Sequence, residues 1–273
     1  MGTGNMGPVL LEIPGFDRPL GLYLHDERDA CVSGYIREHR IWEPYETSLV
    51  MKYLKPGSVF LDIGANIGYY AVLASAIVGS KGLVIAYEPD PDNYRLLMLN
   101  LETNNGFRNA VCFQAAVADY NGIGRIYLSE ENMGDHRLYN HKGSRYSREV
   151  RVVNCGDHLR NITNRLDFIK IDTQGYEASV VEGLRKLMLA NSTHLVILVE
   201  FWPHGLRRAG SSGRRFLELL DSLDMSLNVV DHINRKVVPV KAESLVAWVD
   251  DVDADPQNQG FVNLLVLPKG GMK

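Results

Sequence analysis

Four carboxylates stand at the ends of apolar runs in this chain. They are Asp62 after Val59-Phe60-Leu61, Glu88 after Leu83 to Tyr87, Asp172 after Phe168 to Ile171, and Glu200 after Leu195 to Val199. A fifth run, Ala110 to Ala116, ends in alanine. Stability does not ask for carboxylates in such places, because a buried, unpaired charge is costly. They either accept from loop N–H groups or hold a ligand's donors. Behind Asp62 the chain turns through Gly64-Ala65-Asn66-Ile67-Gly68 into an apolar helical stretch that begins at Tyr69. Glycines in such a turn let a ligand approach the backbone, and the first helical N–H groups point outward. Asn66 suits the turn because Asn tolerates left-handed geometry.

The turn is not a dinucleotide fingerprint. That pattern needs glycine at its first, third and sixth positions, and Asn66 and Tyr69 occupy two of them. The phosphate loop ending in Gly-Lys-Ser/Thr is also missing, and no lysine or arginine lies between Lys55 and Lys81. An acidic strand end without a basic residue suits a cationic ligand. S-adenosylmethionine, with its sulfonium and ammonium, fits. Glu88 follows Gly68 by 20 residues, the spacing at which an acidic side chain reaches a ribose.

These residues need strand ends gathered along one sheet edge. Strand patterns at 58–61, 83–87, 110–116, 165–171 and 195–199 alternate with helical patterns, which predicts a doubly wound, mostly parallel α/β sheet. Leu227 to Val230 and Phe261 to Leu267 are expected as closing strands. Pro44 sits at the first turn of a helix that follows Trp42-Glu43 and carries Glu46 near its positive end. The alternation breaks between 119 and 154. There two antiparallel strands are expected to flank a long polar loop, and a loop of that length is usually functional or mobile. Residues 1–41 read as an N-terminal extension with short strands at 20–24 and 31–36, and residues 1–8 as disordered. Residues 42–273 read as one domain with a substrate-side insertion at about 120–153. The stretch 250–256 reads as a solvated acidic loop.

Three segments, VFLDIGANIGYYAVLAS, VIAYEPDPDNYRLLMLNL and LDFIKIDTQGYEASVVEGL, resemble the FkbM family of S-adenosylmethionine-dependent methyltransferases. The resemblance runs from about Trp42 to Pro203. It implies a Rossmann-like class I methyltransferase fold with an antiparallel closing strand, and S-adenosylmethionine as cosubstrate. It implies a ribose-binding role for Glu88, and acceptors from polyketide, glycoside or polysaccharide biosynthesis. Asp62, Gly64, Asn66 and Gly68, with Tyr69 behind them, are then expected around the methionine part of the donor. Glu43 and Glu46 are candidates to face its ammonium, and Ala116 and its neighbours to lie beside the adenine. The Asp172-Thr173-Gln174-Gly175-Tyr176-Glu177 segment resembles the family's Asp-x-Glu-Gly-Tyr-Glu signature, with Gln174 in place of an acid. Asp172 is expected beside the transferred methyl group, while Glu177 is explained as well by the helix dipole.

A hydroxyl acceptor usually needs its proton taken as the new bond forms. Candidate bases are Asp172, His136, Asp135 and Glu200. A hard metal ion would need two or three oxygen ligands, and no such set beyond Asp172 is evident, so no metal is assigned. Two basic clusters could meet an acidic or phosphorylated acceptor. One is Arg137, His141, Lys142, Arg145, Arg148 and Arg151, and the other is Arg207, Arg208, Arg214 and Arg215.

A formal charge of -4 over 273 residues gives no general attraction to nucleic acid or to an anionic membrane. No apolar run approaches the ~20 residues that span a bilayer, and MGTGNMGPVL lacks the features of a signal peptide. Cys31, Cys112 and Cys155 are scattered, which points to free thiols filling the core and to a cytoplasmic setting. An oligomer is compatible with this sequence. The leading expectation is an O-methyltransferase acting on a small-molecule or sugar hydroxyl. N- or C-methylation and a non-catalytic cofactor-binding scaffold remain alternatives. The Asp/Asn-Pro-Pro-Tyr/Phe motif of many amino-group methyltransferases is absent.

Overall fold

The computed structural model describes residues 7–105, 108–140, 145–255 and 257–270. Expectations for residues 1–6, for His141 and Lys142, and for Pro256 lie outside the described residues. The chain opens with a two-stranded antiparallel ribbon, β1 (Val9–Leu10) and β2 (Gly21–Leu22), followed by α1 (Val32–His39) and α2 (Pro44–Tyr53). The strand expected at 31–36 is instead the helix α1. Val32 and Ile36 bury one face four residues apart, and the Asp29 carboxylate accepts from the Ser33 N–H at 2.8 Å, satisfying a donor at the helix start.

Next come β3 (Val59–Ile63), α3 (Tyr69–Val78), β4 (Leu83–Tyr87), α4 (Pro91–Asn105) and β5 (Ala110–Phe113). The expected single strand 110–116 divides. After Phe113 the chain bends, and β6 (Ala116–Ala118) joins a separate three-stranded sheet, ordered β6-β8-β7, with β7 (Gly122–Tyr127) and β8 (Ser147–Asn154). The Phe113 carbonyl accepts from the N–H groups of both Ala115 and Glu88, which closes the bend. Then follow α5 (Cys155–Leu159), β9 (Phe168–Ile171), α6 (Glu177–Asn191), β10 (Val196–Phe201), α7 (Pro203–Arg208), α8 (Gly213–Asp221) and β11 (Ser226–Asp231). The chain ends with β12 (Lys236–Pro239), α9 (Ala242–Ala254) and β13 (Val262–Leu267). The acidic stretch 250–254 is therefore helical. Leu245, Val249 and Val252 supply its buried stripe, and Asp250 and Asp253 pair with Arg214 and Arg207.

The main sheet has the order β12-β11-β13-β10-β9-β3-β4-β5. Strands β5, β4, β3, β9 and β10 are mutually parallel, while β13 runs antiparallel between β10 and β11. Strand order reverses between β3 and β9, and ligands bind at the carboxyl ends beside such a reversal. Because side chains alternate, Leu61, Ile63, Ile169 and Ile171 join the core under α6 and α8. Phe60 and Phe168 face the core built by α2, α3 and α4. Both rings are fully buried, and truncating either to alanine should cost about 3–5 kcal/mol. Asp62, Lys170, Asp172 and Glu200 share the parity of Phe60, Phe168 and Leu198, so the α2–α3 face receives them all.

The N-terminal ribbon is tied to α4: Asn104 Oδ1 accepts from the Gly21 N–H at 3.0 Å, and Asn100 Oδ1 from the Tyr23 N–H at 2.7 Å. Among the described residues no helix is long and apolar enough to cross a membrane.

Candidate active site

A cavity of about 920 Å³ opens at the carboxyl ends of β3, β4, β9 and β10. Its walls come from α1, the start of α2, the turn after β3, residues 115–117, the loop 132–138, the β11–β12 turn and the start of β13. Asp62, Gly64, Asn66, Tyr69, Glu88, Ala116, Asp135, His136, Asp172, Glu200, Glu43 and Glu46 all line it. Gly68 does not line it; it lies behind the turn.

The two glycines have a different cause from the one read in the sequence. Gly64 has φ of 82°, and a Cβ there would fall 1.9 Å from the Asp172 carbonyl oxygen. Gly68 has φ of 89°, and its Cβ would meet Leu97 at 2.6 Å. They admit neighbouring chain, at the end of β9 and on α4, where ligand access was expected. The N–H groups of Gly64 and Ala65 are likewise spent on the Tyr87 carbonyl, each at 3.0 Å. Asn66 takes the expected left-handed geometry, with φ of 51°. What the turn leaves unmet are two acceptors: among the described residues, Asp62 Oδ2 and Asn66 Oδ1 are buried without a hydrogen-bond partner. Orphaned acceptors are expensive, and a ligand ammonium would satisfy them.

Glu88 holds the turn as well as facing the cavity. Its Oε2 accepts from the Asn66 N–H at 2.8 Å and its Oε1 from the Asp90 N–H at 2.9 Å. The Asn93 side chain also hydrogen-bonds this carboxyl, which leaves it a lone pair for a hydroxyl. Burial pushes the Glu88 carboxyl up to about 8 and that of Asp62 up to about 7. Tyr69 receives a hydrogen bond on its hydroxyl from Thr47 Oγ1 at 3.1 Å.

Lys170 overturns the expectation of a strand end without a basic residue. It is 3% exposed, and its Nζ lies 3.0 Å from Asp172 Oδ2 and 4.0 Å from Glu43 Oε2. It also sits 5.2 Å from the centroid of the Tyr70 ring. A lysine inside Phe168-Ile169-Lys170-Ile171, a run otherwise suited to complete burial, was the available signal. Glu43 precedes α2 with a left-handed φ of 41° and accepts from the Tyr70 hydroxyl at 2.7 Å. Glu46 is buried and accepts from Asn263 Nδ2 at 3.0 Å.

Gln174, also left-handed with φ of 55°, links two strand ends. Its Nε2 donates to Asp172 Oδ1 at 2.7 Å and to Glu200 Oε2 at 3.0 Å. Burial, with Asp172 and Glu177 nearby, drives the Glu200 carboxyl well above its ordinary range. A carboxyl held in its acid form donates a proton; it does not take one, so the geometry disfavours Glu200 as a base. Glu177 is buried and accepts from the N–H groups of Thr173 and Gly175. It fixes the turn, as the helix-start reading expected.

The insertion brings His136 and Asp135 to the cavity, but neither is free to act as a base. His136 Nδ1 accepts from the Ser129 N–H at 3.1 Å, and burial lowers the ring below the usual histidine range. The neutral ring therefore carries its proton on Nε2 and is a donor. Asp135 is gripped by Arg137 Nε at 2.5 Å and by Arg145 at 2.7 Å. Arg137 is itself buried, 4.8 Å over the ring of Trp202. The basic clusters are largely consumed in such pairs. Arg148 meets Asp92 at 3.1 Å, Arg214 meets Asp250, and Arg215 meets Glu182 at 3.2 Å. Cys31, expected as core filler, is exposed at the cavity wall. Among the described residues no group of three or more His, Cys, Asp or Glu side chains is arranged to hold a metal ion.

No curated protein matches this sequence. A family model, the methyltransferase FkbM domain, matches residues 62–227. Among solved structures, the chain is similar to a S-adenosylmethionine-dependent O-methyltransferase from Thermotoga maritima (TM-score 0.44, 11% identity, 85% of this chain and 68% of that one). It is similar to an O-methyltransferase from Bacillus cereus in complex with S-adenosylhomocysteine (0.45, 17%, 82% and 80%). It is also similar to Aeropyrum pernix fibrillarin with natively bound S-adenosylmethionine (0.44, 14%, 81% and 73%). Likenesses at these scores say nothing of the acceptor. The family match is of another kind: it spans more than half of the chain and contains the Asp62 turn, Glu88 and Asp172, and this chain belongs to the FkbM family of S-adenosylmethionine-dependent methyltransferases.

Proposed function

We propose that this methyltransferase acts on oxygen, methylating a hydroxyl of a small molecule or sugar. S-adenosylmethionine, when bound, supplies a methyl group on a positively charged sulfur. The residues that fit it are the orphaned acceptors Asp62 Oδ2 and Asn66 Oδ1 for its ammonium, Glu88 for its ribose hydroxyls, and Ala116 beside its adenine. Glu43 and Glu46 line the same cavity from the start of α2, and Tyr69 from the start of α3.

The observation that carries the choice of oxygen is Asp172. Of the four candidate bases it alone has a carboxylate oxygen directed by an ammonium, lines the cavity and keeps 28% of its side chain exposed. Lys170 and Gln174 hold its two oxygens from opposite sides, which fixes where an acceptor's proton would be received. His136, a donor through Nε2, is suited to hold an acceptor oxygen. Glu200 is suited to the same service.

The test is turnover of S-adenosylmethionine to S-adenosylhomocysteine with paired acceptors that differ only in carrying a hydroxyl or an amine. Turnover confined to hydroxyls, lost in Asp172→Asn while donor binding persists, is expected. Turnover confined to amines would refute the proposal. Donor binding with no turnover on a broad panel would favour a scaffold.

A further inference from the structure

We propose that Lys170 sets the preference of this cavity for the sulfonium donor over its neutral thioether product, by supplying the counter-charge that lets the surrounding carboxylates stay ionised. The inference rests on S-adenosylmethionine as the donor and assigns a role to a residue that the sequence reading left without one. Lys170 acts as a positioning residue through its neighbours.

The geometry is a single ammonium facing acids from several elements. Asp172 lies two residues on along β9, at 3.0 Å. Asp62 is its register partner on β3, so the two side chains are adjacent on the same face of the sheet. Glu43 reaches it from the start of α2 at 4.0 Å, with Glu46 less than a turn beyond. Tyr70 on α3 places its ring against the ammonium and its hydroxyl on Glu43. Glu200 on β10 and Glu177 on α6 complete the acid shell around Asp172. Asp172, Asp62, Glu43 and Glu200 feel the Lys170 charge directly.

Such a cluster meets a dilemma. Carboxylates attract a sulfonium only while ionised, yet burial drives them to keep their protons. Burial raises both Asp62 and Glu43, and Lys170 is the largest influence pulling each back down, ahead of the Ala71 N–H on Asp62 and the Tyr70 hydroxyl on Glu43; against that pull Asp62 still stands at about 7. Donor and product share the same ammonium, carboxylate, ribose and adenine, and they differ by one methyl group and one positive charge. The ratio of their affinities therefore isolates the charge felt at sulfur, and a change that merely loosens the cavity weakens both alike.

The experiment is titration calorimetry of S-adenosylmethionine and S-adenosylhomocysteine against the intact protein between pH 5.5 and 9. In the unaltered protein the donor-to-product affinity ratio should rise on the order of tenfold through a midpoint near neutrality. In Lys170→Met the midpoint should move up by about one to three pH units, the size expected on losing an opposite charge at 3–4 Å. Lys170→Arg, which restores the charge, should bring it back. A midpoint unmoved in folded Lys170→Met overturns the proposal. Should that variant not fold, a ratio in the unaltered protein that is flat across the whole range overturns it equally. Absence of any donor binding would instead strike at the donor assignment itself.

Discussion

Gln174→Glu replaces one amide nitrogen by oxygen and should turn a bridge into a repulsion. In the protein as it stands, the Gln174 amide gives one hydrogen to Asp172 Oδ1 and the other to Glu200 Oε2. A glutamate has no such donors and places a third acid between two others. A hydrogen bond to a charged group contributes roughly 1.5–3 kcal/mol and one to a neutral group about 0.5–1.5 kcal/mol. The bond to the Lys170-paired Asp172 is of the first kind and that to the protonated Glu200 of the second, and Gln174 is only partly buried, so the two losses together come to about 2–3 kcal/mol at pH 8. The introduced carboxyl can recover part of this by holding a proton and donating it to one neighbour. Its pKa in the folded protein should therefore lie above the unfolded value of about 4.3. A group raised on folding is stabilising below its unfolded pKa, and that contribution is lost as pH climbs through the folded one. The deficit of the variant should accordingly be about 1 kcal/mol near pH 5 and widen toward pH 8. Urea unfolding of both proteins at four or five pH values measures it. A deficit constant across that range would show that the amide is not the bridge described.

Three further outcomes follow from the same geometry. Gly64→Ala should cost at least about 3 kcal/mol in urea unfolding, since its Cβ would lie 1.9 Å from a backbone oxygen at a φ that disfavours any side chain; a loss under 1 kcal/mol would contradict the packing of β3 on β9. Glu88→Ala removes the acceptor for two N–H groups and the proposed ribose contact, and calorimetry should show donor affinity reduced at least about tenfold. The ligand-free protein should lose stability, by a few kcal/mol, as pH rises from 5 to 8. Asp62 and Glu88 are raised on folding, to about 7 and about 8, so what they contribute is present in acid and lost through those values; unfolding free energies that climb over that interval would refute it.

The parallel part of the sheet was legible because its strands are short, mainly apolar runs, four of which stop at a carboxylate that had no apolar reason to be there. That same signal found the carboxylates that line the cavity. Lys170 escaped because its meaning depends on parity and register. Only once β9 lies beside β3 does a lysine in an apolar strand become the neighbour of Asp62. The glycines were found for an incomplete reason, since a sequence does not show which chain segment presses on a turn. The candidate bases of the insertion were visible as residue types, but the Ser129 N–H on His136 and the arginines on Asp135 are contacts between positions no periodicity connects. Helix α9 was missed because its last turn, Asp250-Asp251-Val252-Asp253, reads as an acidic run, while Leu245, Val249 and Val252 set its structure.

The region shared with the family begins at Asp62 and ends at residue 227, yet the cavity does not. Trp42, Glu43 and Tyr45 stand before that region, and His232, Arg235 and Phe261 stand after it. A relative that kept every motif but differed at these flanks would offer a guest molecule another doorway. Kinship by motif thus covers the Asp62 turn, Glu88 and Asp172, while the two outer stretches of chain complete the wall of the cavity.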